Sequence, residues 1–436
     1  MRNILLAISI CCLTGCVSKI NQKMLDDFGE NKLTVWNKKL TRVIITDVFS
    51  PPVCSRIYAY CNIAAYEVLV LSDSSRVSFA GKLNGLTGLP KPANIDQINF
   101  RVASIIAFTT VAQKLVFNTE AMKEKEDDYS RQLDSMGISV AVKNKTMEYG
   151  RAVGKHIIEW AAKDGYLQRN SNPAFLVTKD PARWKPTPPD YADAVEPNWG
   201  TVRPFVLTSS GQFRPGPPLH FDTSHRSEIY KEAEMVYNAV KNPGPQFTSI
   251  ARYWDCNPNV SVTSGHVTYF QQQVSPGGHW MFIAGSVAEK EKYSAVKTAE
   301  LLAKVAMSLA DGFISCWEAK FKYGSLRPET YINQYIDKEW RPFIQTPPFP
   351  EYPSGHSVIS SSAATMLTHI IGDNYVFIDS AEVDFGRPPK KFDSFHKAAQ
   401  EASLSRLYGG IHFLKSLTIS LEEGKNVAEF LIQKLK

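Results

Sequence analysis

The amino-acid sequence predicts an all-α fold. Apolar residues recur at three- and four-residue spacings over long segments, as they do on one face of a helix. Runs that alternate apolar and polar residues, the pattern of a half-buried strand, are scarce. The chain has 436 residues, of which 44% are hydrophobic and 21% charged, so it is long enough to bury a large core.

The helical periodicity defines the elements in chain order. The first predicted helix follows Pro51 and Pro52, residues that suit a first turn because its N–H groups have no partner in the helix. A break is expected near Gly312 in the longest segment, since glycine weakens a helix interior. Another helix is expected to begin at Ser354, whose hydroxyl can cap it. The predicted helices cover residues 53–71, 95–117, 143–162, 224–240, 287–321, 354–371, 395–407 and 417–435.

The periodicity stops between residues 165 and 221. Prolines are concentrated there and aromatic residues are interspersed among them, including Trp184, Trp199, Phe205 and Phe213. A solvated linker would have no reason to carry these aromatic side chains. The segment is therefore predicted to be an ordered loop over the helices, and two roles stay open for it, shaping a pocket mouth or packing alone.

The N-terminus has the pattern of an export signal. Arg2 supplies a positive charge, and residues 4–13 form an apolar stretch too short to span a bilayer. The following Leu13-Thr14-Gly15-Cys16 resembles the lipobox of bacterial lipoproteins, which implies cleavage before Cys16 and lipidation of its thiol. The sequence thus predicts a signal peptide over residues 1–16 and an exported protein anchored to a bacterial membrane by lipid. A plain secretory signal is the alternative.

Charge and cysteine content exclude other classes. The net charge of +6 is modest and no Lys/Arg block stands out, so no nucleic-acid partner is expected. The cysteines beyond the signal are too few for a disulfide scaffold, and they are expected to be buried and apolar. They are Cys54, Cys61, Cys256 and Cys316.

Three segments in the last third of the chain share a chemical theme. The first carries Lys320 and Arg327, seven residues apart, which on a helix would place both on one face. The second is Pro353-Ser354-Gly355-His356, and the third carries Arg406 and His412. Together these residue types suit a tetrahedral oxyanion such as phosphate or vanadate. Three cations balance its charge, a serine and a glycine amide donate to it, and two histidines can bond to the central atom and move protons.

The order K-x6-RP, PSGH and SR-x5-H resembles the superfamily of type 2 phosphatidic acid phosphatases and vanadium haloperoxidases. Trp317 and Phe349 stand where vanadium chloroperoxidases and bacterial iodoperoxidases have aromatic residues on the halide side. The upstream stretch WKPTPPDYADAVEPNWGTVRPF is similar to the bacterial iodoperoxidase branch. The resemblance implies two packed four-helix bundles with a long Pro-rich ordered loop. Residues 17–436 would form one domain, with its active-site half at about 280–436.

The resemblance also implies roles by motif position. His412 would be the vanadium ligand, His356 the acid–base residue, and Lys320 both a vanadate-binding and a catalytic cation. The oxygens of vanadate would be bound by Lys320, Arg327, Ser354, Gly355 and Arg406, with Trp317 and Phe349 on the halide side.

Two positions qualify these roles. The family usually has an aspartate four residues after the ligand histidine, where this chain has Ser416; its loss would loosen vanadate unless a backbone carbonyl substitutes. Asp255 is a candidate to orient His356.

His266 and His279 are expected to be structural, because no acidic partner accompanies them at metal-ligand spacing.

The leading functional hypothesis is a vanadate-dependent haloperoxidase that uses hydrogen peroxide to oxidise halide, with iodide favoured, to hypohalous acid. The alternative is an acid phosphatase working through a phosphohistidine at His412. A non-catalytic lipoprotein that binds an oxyanion is a third possibility. Trp317 and Phe349 favour the peroxidase, since an apolar wall suits a polarisable anion better than a bulky phosphoester.

Overall fold

The computed structural model describes Phe28, residues 32–258 and residues 260–436, and this part of the chain is mostly helical. The prediction of an all-α fold is confirmed. The predicted signal peptide and its Cys16 lie outside the described residues. Within the described part of the chain, no helix has the length and apolar character needed to cross a membrane.

Thirteen helices among the described residues, labelled in chain order, make up the fold. They are α1 (Lys32–Thr46), α2 (Pro51–Leu69), α3 (Phe100–Leu115), α4 (Thr119–Ser135), α5 (Val140–Ala161), α6 (Glu228–Lys241), α7 (Pro245–Tyr253), α8 (Pro276–Lys290), α9 (Ala295–Tyr323), α10 (Pro328–Tyr335), α11 (Gly355–Ile371), α12 (Phe395–Tyr408) and α13 (Leu414–Lys434). Two small antiparallel hairpins accompany them, β1 (Ser261–Ser264) with β2 (Val267–Phe270), and β3 (Phe377–Asp379) with β4 (Lys390–Phe392).

Side-chain caps explain where many helices begin. A serine or asparagine stands just before the helix and accepts a hydrogen bond from the backbone N–H three residues later, which satisfies a donor that the first turn leaves free. The capping residues are Asn99, Asn118, Ser139, Ser227, Ser275, Ser294, Ser354 and Ser394. The start predicted at Ser354 is therefore correct.

The helices form two bundles around a continuous hydrophobic core. Helices α2, α3, α4 and α5 pack together in the first half of the chain, and α9, α11, α12 and α13 pack together in the second. The bundles meet where α9 packs along α2, and α11 lies at the centre of the second bundle in contact with its other three helices. The arrangement of two packed four-helix bundles agrees with the prediction.

The break predicted near Gly312 is wrong. Helix α9 runs without interruption through Gly312, and the interruption falls earlier, between Lys290 and Ala295, so that α8 is a separate helix. Gly312 faces α11, where a Cβ would make an ordinary contact of 3.6 Å with Ile359 Cγ2. The weak intrinsic propensity of one glycine is outweighed by packing between α9 and α11.

The Pro-rich segment is ordered, and it packs against α9. Trp184, Trp199 and Phe205 are buried. Asp311 of α9 accepts hydrogen bonds from three consecutive backbone N–H groups of the segment, at Phe205 (2.6 Å), Val206 (2.9 Å) and Leu207 (3.1 Å). A carboxylate that satisfies three buried amides fixes the loop onto the helix that carries Lys320. The possibility of a solvated linker is thereby excluded.

Candidate active site

The PSGH motif places a helix N-terminus at the centre of the second bundle. Ser354 caps α11 by accepting from the backbone N–H of Ser357 at 3.4 Å and from its hydroxyl at 2.9 Å. Gly355 lies against the indole of Trp317, and a Cβ there would meet Trp317 Cζ3 at 3.2 Å. Glycine is therefore needed for this close approach. The positive end of the α11 dipole and its first amides favour an anion at this place.

Lys320 and Arg327 converge on the same loop, but not for the reason that their spacing suggested. Helix α9 ends at Tyr323, and Gly324 turns the chain with a left-handed φ of 56°, so Arg327 lies beyond the helix rather than on its face. Lys320 Nζ donates to the carbonyls of Pro350 and Glu351, both at 2.9 Å. These bonds use two of its three N–H protons and leave one for a ligand.

Arg327 is fully buried among main-chain carbonyls. It donates to the carbonyl oxygens of Phe349 and Ile411 at 2.9 Å, and its Nη1 lies 3.1 Å from Nε2 of His412. Arg406 on α12 is also buried, and its Nη2 donates to the carbonyl of Trp254 at 2.6 Å. Neutral carbonyls orient these guanidinium groups without cancelling their charge.

The three cations of the site have no counter-charge in direct contact. In the described part of the chain, Lys320, Arg327 and Arg406 form no ion pair with a carboxylate. Burial lowers the pKa of Lys320 to about 7 and that of Arg327 to about 10, with the neighbouring cations acting in the same direction. Buried charges are costly unless they are paired, so the arrangement is stabilised by an anion that contacts all three.

His412 is held by a carboxylate that the sequence reasoning missed. Its Nδ1 lies 2.7 Å from Oε1 of Glu351. Glu351 also accepts from the backbone N–H of Phe413 at 3.2 Å and from the hydroxyl of Ser416 at 2.9 Å. Burial raises the pKa of Glu351 to about 7, so its charge alone does not decide the tautomer of His412. Arg327 can only donate, so Nε2 of His412 is the acceptor at 3.1 Å and Nδ1 carries the proton that Glu351 accepts. Burial and the nearby Arg327 lower the pKa of His412 well below its usual value, which keeps the ring neutral, with the lone pair of Nε2 directed at Arg327.

The departure at Ser416 is thus compensated by a carboxylate from another segment. A carboxylate that orients a ligand histidine fixes its tautomer and raises its basicity. Here that group comes from Glu351, five residues before His356, and Ser416 positions it instead of contacting the histidine ring. An acidic residue two positions before the PSGH motif was the available sequence signal.

His356 lines the same cavity as His412. Its Nε2 is shielded from solvent and has no hydrogen-bond partner among the described residues. Desolvation, followed by the charge of Arg406, lowers the pKa of His356 well below its usual value. The carbonyl of Trp254 hydrogen-bonds the ring, so the suggestion that Asp255 orients it is not supported. Asp255 interacts electrostatically with Arg406 instead.

Trp317 and Phe349 form an aromatic wall beside the cations. Their ring centroids are 5.0 Å apart, and Lys320 Nζ lies 5.6 and 5.1 Å from them. The Pro-rich segment contacts this wall, because the indole N–H of Trp317 donates to the carbonyl of Val195 at 3.3 Å.

A small cavity of about 20 Å³ lies between the two histidines, Gly355 and the aromatic wall, with room for one water-sized guest. Residues 165–221 are not among the residues that line it, and the segment contacts the cavity wall through Val195 and Trp317. The cavity is lined by Pro51, Cys256, Asn257, Pro276, Phe313, Trp317, Pro347, Phe349, Gly355, His356, Ile411 and His412.

The residues fit a tetrahedral oxyanion such as vanadate. The structure brings together Lys320, Arg327 and Arg406, a helix N-terminus at Ser354, and the Nε2 atoms of two histidines. A metal-like centre needs a neutral nitrogen ligand, which the tautomer of His412 supplies, and its oxygens need donors, which the three cations and the α11 amides supply. The unpartnered Nε2 of His356 is a further polar atom that such a guest would satisfy.

Comparisons with known proteins agree with this geometry. Residues 300–436 match the family model described as VCPO second helical-bundle domain. The chain is similar to a solved structure described as the first bacterial vanadium-dependent iodoperoxidase, with a TM-score of 0.88 and 40% identity, over 93% of this chain and 97% of that one. No curated protein matches the chain.

More distant structures share the fold alone. A bacterial vanadium-dependent chloroperoxidase in its holo form has a TM-score of 0.66 at 14% identity, over 89% of this chain and 94% of that one. Its apo form gives 0.64 at 15% identity, over 89% and 95%.

Proposed function

The chain belongs to the vanadium-dependent haloperoxidase family, and on that premise we propose that it oxidises iodide with hydrogen peroxide at vanadate held by His412. The observation that carries the proposal is the set of three buried cations, without an ion pair among the described residues, beside two histidines. Nε2 of His356 has no hydrogen-bond partner in that part of the chain, and Nε2 of His412 accepts only from Arg327, a cation that would turn to the oxyanion. Similarity to an iodoperoxidase at 40% identity supports the choice of halide.

The residues of the site divide into those that hold vanadate and those that orient its ligand. His412 Nε2 would bind the vanadium, with Glu351 fixing the ring and its tautomer. Lys320, Arg327 and Arg406 would donate to the oxygens, together with Ser354 and the amide of Gly355. Vanadate, when bound, supplies a Lewis-acidic centre that activates peroxide for oxygen transfer to halide.

His356 would move the proton that peroxide must lose. Its neutral form, favoured by desolvation, has a lone pair with no partner in the described residues, so it can accept a proton from peroxide entering the cavity. Lys320 has one N–H left for a bound oxygen, and donation there would draw electron density from it.

The aromatic wall supports iodide as the halide. Iodide is the largest and most weakly hydrated of the common halides, and it costs the least to desolvate against the rings of Trp317 and Phe349. It is also the easiest to oxidise, so it places the smallest demand on how strongly the site activates peroxide.

Steady-state assays with chloride, bromide and iodide at one pH and peroxide concentration test the halide. The vanadate-loaded protein is expected to turn over iodide far faster than chloride. Trp317→Ala should raise KM for iodide more than it lowers kcat, because the wall binds the halide in the ground state. Chloride turnover comparable to that of iodide would contradict the proposed specificity.

We also propose that the protein is exported and anchored by lipid at Cys16, on the strength of the lipobox-like Leu13-Thr14-Gly15-Cys16. Replacing Cys16→Ser and fractionating the cells tests this. The wild type should be in the membrane fraction and the variant in the soluble fraction. Equal distribution of the two would contradict the anchor.

A further inference from the structure

A second cluster of ligating side chains lies next to the proposed vanadate site. Cys256 follows α7, His279 is in the first turn of α8, and Glu382 follows the strand β3; all three are buried. No acidic residue stands at metal-ligand spacing from His279 along the chain, but in the fold two carboxylates reach it from residues about a hundred positions away. His266, in contrast, is exposed in the β1–β2 turn.

The three potential ligand atoms are separated like the corners of a metal tetrahedron. Nδ1 of His279 is 3.4 Å from Sγ of Cys256 and 3.2 Å from Oε1 of Glu382, and Sγ is 3.7 Å from that Oε1. Tetrahedral zinc with bonds of about 2.0 Å to nitrogen and oxygen and about 2.3 Å to sulfur gives edges of about 3.3 to 3.6 Å. Each measured separation is within about 0.2 Å of that range.

Independent support comes from the other side of the histidine. Nε2 of His279 lies 2.6 Å from Oδ2 of Asp379, which is buried. A metal-binding histidine generally donates its second N–H to such a carboxylate, which leaves the lone pair on the nitrogen that faces the metal. Here the lone pair is then on Nδ1, the atom that faces Cys256 and Glu382.

The contacts on the Nδ1 side of His279 are longer than the contact on its Nε2 side. A charged N–H···O bond between His279 and Glu382 would be about 2.7–2.9 Å long, shorter than the 3.2 Å observed. The contact between Nε2 of the same ring and Oδ2 of Asp379 is shorter, at 2.6 Å. Arg387 donates to Glu382 at 2.6 Å. The charges of a divalent ion and Arg387 would balance those of a Cys256 thiolate and the carboxylates of Asp379 and Glu382, so the occupied cluster would be neutral.

We propose that Cys256, His279 and Glu382 bind one divalent transition-metal ion, with zinc the best match to this sulfur, nitrogen and oxygen set. The ion would be distinct from vanadate, and it would tie α8 to the segments after α7 and β3. Trp254 links the two places, because its ring stacks on His279 at 4.6 Å and its carbonyl accepts from Arg406 at 2.6 Å. The fourth position would be open to water from the adjoining cavity, which Cys256 also lines.

The test measures the metal itself and does not depend on peroxidase activity. The full-length protein is loaded with zinc and desalted, and its metal content is measured by inductively coupled plasma mass spectrometry. We expect one zinc ion per chain. Cobalt substitution should produce the near-ultraviolet charge-transfer band of a thiolate ligand. Both signals should be lost in Cys256→Ser, which preserves side-chain size, and zinc should be weakened in Glu382→Gln.

Cys61→Ala is the matched control, since Cys61 is another buried free cysteine, located in α2. It should keep the zinc stoichiometry and the cobalt band. Zinc should also raise the Tm of the wild type and of Cys61→Ala but not that of Cys256→Ser. Wild-type protein that holds no more zinc than Cys256→Ser, or a cobalt spectrum without a thiolate band, would overturn the proposal. The cluster would then be a protonated histidine between two carboxylates.

Discussion

Replacing Glu351→Gln is expected to weaken vanadate binding about tenfold while leaving the fold intact. In the wild type, Nδ1 of His412 lies 2.7 Å from Oε1 of Glu351. Glutamine has the same size and keeps one oxygen that can accept from this N–H, but it removes the negative charge. A hydrogen bond to a charged group stabilises by about 1.5–3 kcal/mol and a neutral one by about 0.5–1.5 kcal/mol. The midpoints of these ranges differ by about 1.25 kcal/mol, which is a factor of about eight to ten in Kd.

Calorimetric titration of the vanadate-free protein with orthovanadate measures this change. Glu67→Gln is the matched control, since Glu67 is a buried carboxylate of the first bundle that accepts from Ser78 and Phe79. Ser416→Ala removes one bond to Glu351 and should weaken vanadate binding only a few-fold. An unchanged Kd in Glu351→Gln would refute the role given to this carboxylate.

The double variant Glu351→Gln/Ser416→Asp provides a rescue. It returns a carboxylate to the position four residues after His412, where related sequences usually have an aspartate. We expect it to recover part of the lost affinity, whereas Ser416→Asp alone should weaken binding because two buried carboxylates would repel each other. A double variant weaker than Glu351→Gln would show that the carboxylate acts only through packing.

Four further outcomes are expected. His412→Ala should abolish vanadate binding, whereas His356→Ala should retain vanadate and slow turnover; equal vanadate affinity in wild type and His412→Ala would reverse the assignment. Inorganic phosphate should inhibit competitively with vanadate, and inhibition insensitive to vanadate concentration would exclude a shared site. Because burial lowers the pKa of Lys320 to about 7, the empty site loses this cation as the pH rises above that value, so vanadate affinity should fall there. The fall should be shallower in Lys320→Ala, and parallel profiles would contradict the cause. Asp311→Asn should lower the free energy of unfolding by about 1–3 kcal/mol, measured by urea denaturation, because an amide N–H₂ would face the backbone donors of the Pro-rich loop.

The sequence was sufficient for the fold class and for most helices, because periodicity and capping are local signals. Ser354 illustrates this, since its hydroxyl caps α11 where the sequence indicated. Helix α4 was missed because the stretch KEKEDDYSRQ is mostly charged, and only a narrow face with Met122, Tyr129 and Leu133 is buried. The end of α9 at Gly324 shows the limit of spacing arguments, because a left-handed turn there moves Arg327 off the helix without separating it from Lys320.

The site residues could be chosen from motifs, but their partners could not. Glu351 and His412 are 61 residues apart, and only the folded second bundle brings their side chains together. His279 likewise meets Asp379 across 100 residues. Such pairs depend on how helices and loops pack, which no local pattern encodes, whereas a run such as PSGH carries its glycine and its cap together.

The claim that vanadate at this site makes the protein a haloperoxidase is tested most directly by following triiodide formation. Protein stripped of vanadate is mixed with hydrogen peroxide and iodide, with and without added orthovanadate, and hydrolysis of a phosphate ester is followed in parallel. We expect triiodide to form only with vanadate, in proportion to the fraction of His412 sites loaded, and little ester hydrolysis. No vanadate-dependent triiodide, together with ester hydrolysis that is lost in His412→Ala, would contradict the peroxidase and identify the site as a phosphatase.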